Sequence, residues 1–138
     1  MKIMCDTNIF LDVLLERESF ADDSSRVLSL CEEHRLEGFV SASCITDIFY
    51  LVRKYTRSTE LAYNAVGKVL EIVKVCSVTN NDVLLAFQKK ARDFEDCLVA
   101  TCANSIHCDY IITRSKKDFE EFSIPLLEPS ELLRQLKQ

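Results

Sequence analysis

Lys2-Ile3-Met4-Cys5-Asp6-Thr7-Asn8 decides how this chain is read. Lys2 to Cys5 is a short, mostly apolar stretch that predicts a first strand, and a carboxylate follows it at once. Open α/β sheets keep their chemistry at the carboxyl ends of their strands, so Asp6 occupies a position suited to function. Beyond it the chain alternates short apolar stretches with longer segments of helical period, the pattern of βα units. Only two glycines and two prolines occur, which argues against a loop-rich or all-β fold.

The spacing predicts a short helix over 10–15 and a second over 23–36, with Val27, Leu28, Leu30 and Cys31 inward and Gly38 as its stop signal. Phe39-Val40 predicts a brief strand, followed by helices over 42–55 and 59–73. The stretch 73–78 turns into a strand. Asn80 or Asn81 is expected to cap a helix running to Ala91, and Asp93 the next, over 94–105. Tyr110-Ile111-Ile112 reads as a buried strand, and Pro125-Leu126-Leu127 as an edge strand, because proline cannot donate to a ladder. Pro129 starts the last helix, 130–136. The expected fold is α/β: a small parallel sheet with helices on both faces, as one domain spanning 1–138.

Composition narrows the function classes. The formal net charge is -5, so an overall basic footprint for nucleic acid is absent, and a polyanionic substrate would need metal ions or a local cationic rim. The seven cysteines are odd in number and include no Cys-x-x-Cys pair, which signals neither a disulfide framework nor a zinc site. They fit a reducing, cytoplasmic setting. With no apolar leader and no apolar run of about 18 residues, neither secretion nor a membrane span is expected.

Three further features stand beside Asp6, two acidic and one hydroxyl-bearing. Asp47 is the one charge in Cys44-Ile45-Thr46-Asp47-Ile48-Phe49-Tyr50-Leu51-Val52. It is either a first-turn acid favoured by the helix dipole or a carboxylate that is paired or metal-bound. In Asp93-Phe94-Glu95-Asp96, capping explains Asp93 well but Asp96 less well, because Glu or Gln reaches back better. Asp96 opens the nearly all-apolar Cys97-Leu98-Val99-Ala100-Thr101-Cys102-Ala103, and no Lys or Arg intervenes between Arg92 and Arg114. Thr113 and Ser115 place hydroxyls just beyond the strand 110–112, where they either cap a turn or face the same cleft. All four features can meet at the carboxyl edge of the sheet. Carboxylates gathered there repel one another unless a cation lies between them.

This order of residues resembles the PIN-domain ribonucleases, including the toxin nucleases of VapBC toxin–antitoxin pairs. The resemblance covers nearly the whole chain. It is carried by Cys5-Asp6-Thr7-Asn8 with Leu11-Asp12, by Ser43 to Lys54 around Asp47, by Asp93 to Ala100, and by Ile112 to Phe119. It implies a three-layer fold with about five parallel strands, a Mg²⁺ or Mn²⁺ site, and hydrolysis of RNA. By position, Asp6, Asp47 and Asp96 match the metal-binding acids, Asp93 an additional acid found in some members, and Asn8 and Thr113 polar residues that order the site. Two departures stand out. Asp47 replaces a frequent Glu, and Ser115 a frequent Asp or Asn, so a second ion would draw ligands from RNA. Asp118 falls later in the motif and is not assigned.

Hard carboxylate oxygens suit Mg²⁺ or Mn²⁺, and neither His34 nor His107 falls within the acidic set. Arg114, Lys116 and Lys117 flank the proposed loop and are expected to contact RNA; Arg53-Lys54 and Lys89-Lys90-Arg92 also lie near the acid-bearing segments. The implied partners are an RNA substrate and a cognate antitoxin. The helix 59–73, with the one before it, reads either as part of an antitoxin groove or as a homodimer face, a homodimer being the expected state. Because of Ser115, a catalytically inactive RNA- or protein-binding module is the alternative. A phospho-acceptor or phosphatase domain ranks last, since Asn8 stands where the phosphatase would need a second Asp.

Overall fold

In the computed structural model, which describes residues 1–137, β1 (Lys2–Cys5) is the central strand of a five-stranded sheet. Its neighbours are β2 (Glu37–Ser41) and β4 (Tyr110–Ile112); β3 (Lys74–Cys76) and β5 (Leu126–Leu127) form the edges. Every pairing is parallel, in the order β3-β2-β1-β4-β5. Parallel strands covered on both faces need apolar residues in succession rather than alternation. Ile3, Met4 and Cys5 of β1 and Ile111 and Ile112 of β4 accordingly have no exposed surface.

The connections divide the helices between the two faces. From β1 the chain passes through α1 (Thr7–Leu14) and α2 (Glu18–Glu32) to β2, then through α3 (Ala42–Thr56) and α4 (Thr59–Ile72) to β3. It then crosses back through α5 (Asn80–Lys89) and α6 (Phe94–Ser105) to β4. Parallel crossovers are right-handed, so reversing the direction of travel moves α5 and α6 to the opposite face from α1 to α4. α7 (Pro129–Leu136) closes the chain and packs on α2. Cys97 to Ala103 of α6 are all buried, as an apolar helix without a polar face requires. The reversal makes the gap between the carboxyl ends of β1 and β4 the topological switch point.

Several expected boundaries shift, each for a local reason. α1 starts at Thr7 rather than at 10, because the Asp6 side chain accepts the Thr7 N–H and the Asp6 carbonyl accepts from Ile9. α2 spans 18–32 rather than 23–36. Gly38 is no helix stop; it lies inside β2, where an added Cβ would meet Cys31 Sγ at 2.6 Å and Val73 Cγ1 at 2.9 Å. Its missing side chain lets α2 and Val73 close onto the sheet. Thr79, not Asn80 or Asn81, caps α5: Thr79 Oγ1 accepts from the Asp82 N–H at 3.1 Å, and Asp82 Oδ2 accepts from the Thr79 N–H at 3.0 Å. α5 ends at Lys89, short of the expected Ala91. No helix among the described residues is long and apolar enough to cross a membrane.

Candidate active site

Asp6 leaves β1 at the switch point. Its backbone N–H donates to Ile112 O at 3.0 Å, which ties it to β4. Its carboxylate accepts from the Thr7 N–H at 2.8 Å and from Thr113 Oγ1 at 3.0 Å, and it is 8% exposed. Thr113 Oγ1 in turn accepts from the Ser115 N–H at 3.0 Å, so one hydroxyl orders both the carboxylate and the loop beyond β4. Burial raises the Asp6 carboxyl above its ordinary range; the bonds from Thr113 and Thr7 oppose this, and the charge of Asp118 adds to it.

Asp96 reaches the same place from the first turn of α6, where the Asp93 side chain caps the helix by accepting the Asp96 N–H at 2.9 Å. Burial raises the Asp96 carboxyl to about 7, with the charges of Asp93, Asp6 and Asp118 pushing the same way. Asp47 comes from α3, and its carboxyl lies against that of Glu95. A proton held between the two is the largest influence raising Glu95 to about 7, followed by burial and by the charges of Asp47, Asp93 and Asp96. Cys44, one turn before Asp47, lies within reach of Asp6, Glu95 and Asp47; burial, ahead of those charges, pushes its thiol up to about 12.

Asp96 thus lies within electrostatic reach of Asp6 and Asp93, and Glu95 within reach of Asp47, Asp93 and Asp96, which brings acids from three separate segments to one place. Two members of the set were given no role from the sequence. Glu95 was visible only as part of the acidic run Asp93 to Asp96. Asp118 sits in the 3₁₀ turn Lys116–Asp118, which returns it to the cleft. The only signal for either was the position of its segment at the carboxyl edge. A cavity of about 400 Å³ opens among Asp93, Asp96 and Asp118, with Arg92 and Lys117 also on its wall.

The expected cationic rim is partly spent elsewhere. Arg114 grips buried Asp12 through Nε at 3.0 and 3.1 Å and Nη2 at 2.9 Å, and lies 4.0 Å from the Phe20 ring centroid. Lys116 pairs with Glu131 at 2.9 Å. Of the three basic residues expected to touch RNA, only Lys117 lines the cavity, joined there by Arg92. Asn8 accepts from Arg17 Nη1 at 3.0 Å.

Among the described residues no three His, Cys, Asp or Glu side chains are gathered closely enough to form a ready-made metal cage. The donor chemistry nevertheless fits a hard divalent cation. All six groups are carboxylates, and among the described residues none is in an ion pair. His34 and His107 both lie in left-handed turns following α2 and α6, away from the switch point, and do not suit a zinc site there.

The family model described as PIN domain matches residues 2–117, and the chain belongs to that family. Solved structures share the fold. VapBC2 from Rickettsia felis, bound to a DNA fragment from its promoter, superposes with a TM-score of 0.72 at 16% identity, covering 93% of this chain and 98% of that one. VapC20 from Mycobacterium tuberculosis, a toxin that cleaves the sarcin-ricin loop, gives 0.70 at 12% identity, covering 88% and 96%. VapBC-1 from nontypeable Haemophilus influenzae gives 0.67 at 20% identity, covering 94% and 99%. None of the curated proteins matches this chain in sequence.

Proposed function

We propose that this PIN-domain protein is a Mg²⁺- or Mn²⁺-dependent endoribonuclease, acting as the toxin of a toxin–antitoxin pair. The observation that carries the reading is the meeting of Asp6 and Asp96 at the switch point, with no basic side chain among the described residues paired to either. Asp6 and Asp96 would hold the ion directly or through water, and Asp47, Glu95, Asp93 and Asp118 would complete its surroundings. A cation bound there would polarise a phosphate oxygen and make water a better nucleophile near neutral pH.

The protein's own groups do the rest. Thr113 and the Thr7 N–H hold the Asp6 carboxylate in one orientation. Lys117 and Arg92, on the cavity wall, are placed to draw the RNA backbone toward an otherwise acidic cleft. The VapBC relatives support an antitoxin as protein partner, since they include toxin–antitoxin complexes. We extend the proposal to a homodimer. Its surface would be exposed apolar residues such as Val83, Leu84 and Phe87 of α5, or the α3–α4 face that carries Tyr50 and Tyr63.

The test is cleavage of single-stranded RNA by the purified chain in Mn²⁺. Asp6→Asn and Asp96→Asn are each expected to lower the rate by about 100-fold or more, as loss of a charge at the reacting centre does. Undiminished cleavage by both variants would overturn the assignment. Ser115, a hydroxyl in place of a fourth acid, favours a second reading, an inactive RNA- or protein-binding module. Calorimetry separates the two: a nuclease takes up Mn²⁺ and loses that uptake in Asp96→Asn, while the module takes up none.

A further inference from the structure

Asp12 is the most deeply buried carboxylate among the described residues, with no exposed surface. Ser24 Oγ donates to it at 3.1 Å and Arg114 grips it from the loop after β4. Arg17 Nη1 lies 3.5 Å from its Oδ1, and the same nitrogen donates to Asn8 Oδ1 at 3.0 Å. Asn8 and Asp12 are four residues apart on α1 and so share a face. The turn after α1 brings Arg17 back over that face. Glu16 takes a left-handed backbone with φ 51°, and the Arg17 N–H donates to Asp12 O at 2.9 Å. A glutamate in that conformation is uncommon, which marks the return of Arg17 as built into the fold.

A guanidinium has donors and no acceptor. The Asn8 atom facing Arg17 must therefore be its carbonyl oxygen, and the polarity of the amide is settled by chemistry. Asn8 Oδ1 is taken, and among the described residues the two Nδ2 hydrogens meet no acceptor. An oxygen engaged this way is a poor metal ligand, but the free amide is a good donor. Within a ring of carboxylates a neutral donor has an advantage over a cation: it can meet a phosphate oxygen without pairing with Asp6 and competing with the metal.

We propose that Asp12 and Arg17 fix the orientation of Asn8 so that its Nδ2 hydrogens are offered to a nonbridging phosphate oxygen of the substrate beside Asp6. Asn8 is then a substrate-binding residue, and Arg17 and Asp12 are positioning residues. This rests on the nuclease reading for the substrate but on the structure alone for the amide.

The intact folded chain tests both parts. Arg17→Met removes the donor and keeps the bulk; Arg17→Lys keeps a donor-only group. Arg17→Met is expected to lower kcat for single-stranded RNA about tenfold, with Mn²⁺ affinity within about twofold, and Arg17→Lys to restore most of it, as an orientation effect should. A joint fall of Mn²⁺ affinity, melting temperature and kcat in Arg17→Met, not rescued by lysine, would overturn a positioning role. Independently, the Asn8 side-chain NH₂ resonances, identified by their loss in Asn8→Asp, are followed by NMR with Mg²⁺ present. In the wild type they are expected to be well separated and to move on addition of inorganic phosphate, and in Arg17→Met to draw together and stop responding. A pair unaltered by Arg17→Met, or indifferent to phosphate in the wild type, sinks the inference. If the wild type fails to cleave RNA but its NH₂ pair depends on Arg17 and responds to phosphate, the ribonuclease reading falls and the amide assignment stands.

Discussion

A carboxylate that is valuable with a cation is a liability without one. Asp96 is held at about 7 by burial and by its acidic neighbours, so at alkaline pH the metal-free fold keeps a charge it would shed. Asp96→Asn is therefore expected to stabilise the metal-free protein at pH 8 by about 1–2 kcal/mol, the shift being discounted for the part of the group that stays in water, while removing activity. Chemical denaturation with a chelator present measures this; a destabilised variant would show that the amide loses more contact than it relieves repulsion. Gly38 shows the opposite economy. A methyl group there must push against Cys31 Sγ and Val73 Cγ1, so Gly38→Ala is expected to cost about 1–3 kcal/mol by overpacking, read as a lowered melting temperature. Nothing in the sequence distinguished this glycine from a helix terminator, because its role depends on two residues distant along the chain.

At the scale of elements, five helices end in the same unusual way. Glu16, His34, Arg57, Lys90 and His107 all adopt left-handed backbone after α1, α2, α3, α5 and α6, and neither glycine of the chain does. Non-glycine residues give up roughly 1 kcal/mol there. His107→Gly, at an exposed position, is expected to raise the melting temperature by a few degrees, the gain in the folded state exceeding the added freedom of the unfolded one. Differential scanning calorimetry decides it. These ends explain why helix starts were easier to read than stops. Asp93 and Pro129 announce α6 and α7 in their own chemistry, whereas α2 and α5 finish on residues that carry no stop signal. The capping box of α5 was misplaced by one or two residues because three polar residues, Thr79 to Asn81, compete for the position, and the buried carboxylate of Asp82 decides among them.

For the molecule as a whole, pH should act through the cleft. Glu95 and Asp96 bind protons more tightly folded than unfolded, where carboxyls titrate near 4. Folding stability from these groups is fully present below about pH 4 and is lost as the pH rises through about 7. The metal-free protein should thus melt higher at pH 5.5 than at pH 8, and saturating Mn²⁺ should narrow the difference; an unchanged gap would mean that the ion binds elsewhere. Topology was legible from the alternation of apolar stretches, and the gathering of acids at one edge of the sheet from their recurrence at strand and helix ends. What stayed hidden were the partnerships across the fold: the Arg114–Asp12 grip, which engages the guanidinium of an expected RNA contact, and the return of Asp118 by a three-residue turn.

The outermost strands β3 and β5 contain three and two residues. So short a stretch of unpaired backbone gives another molecule little to zip onto, and fibril-like growth is discouraged from both flanks. Any association of this chain with copies of itself must therefore come about through side chains on helical surfaces, where substitution can tune it without disturbing the sheet.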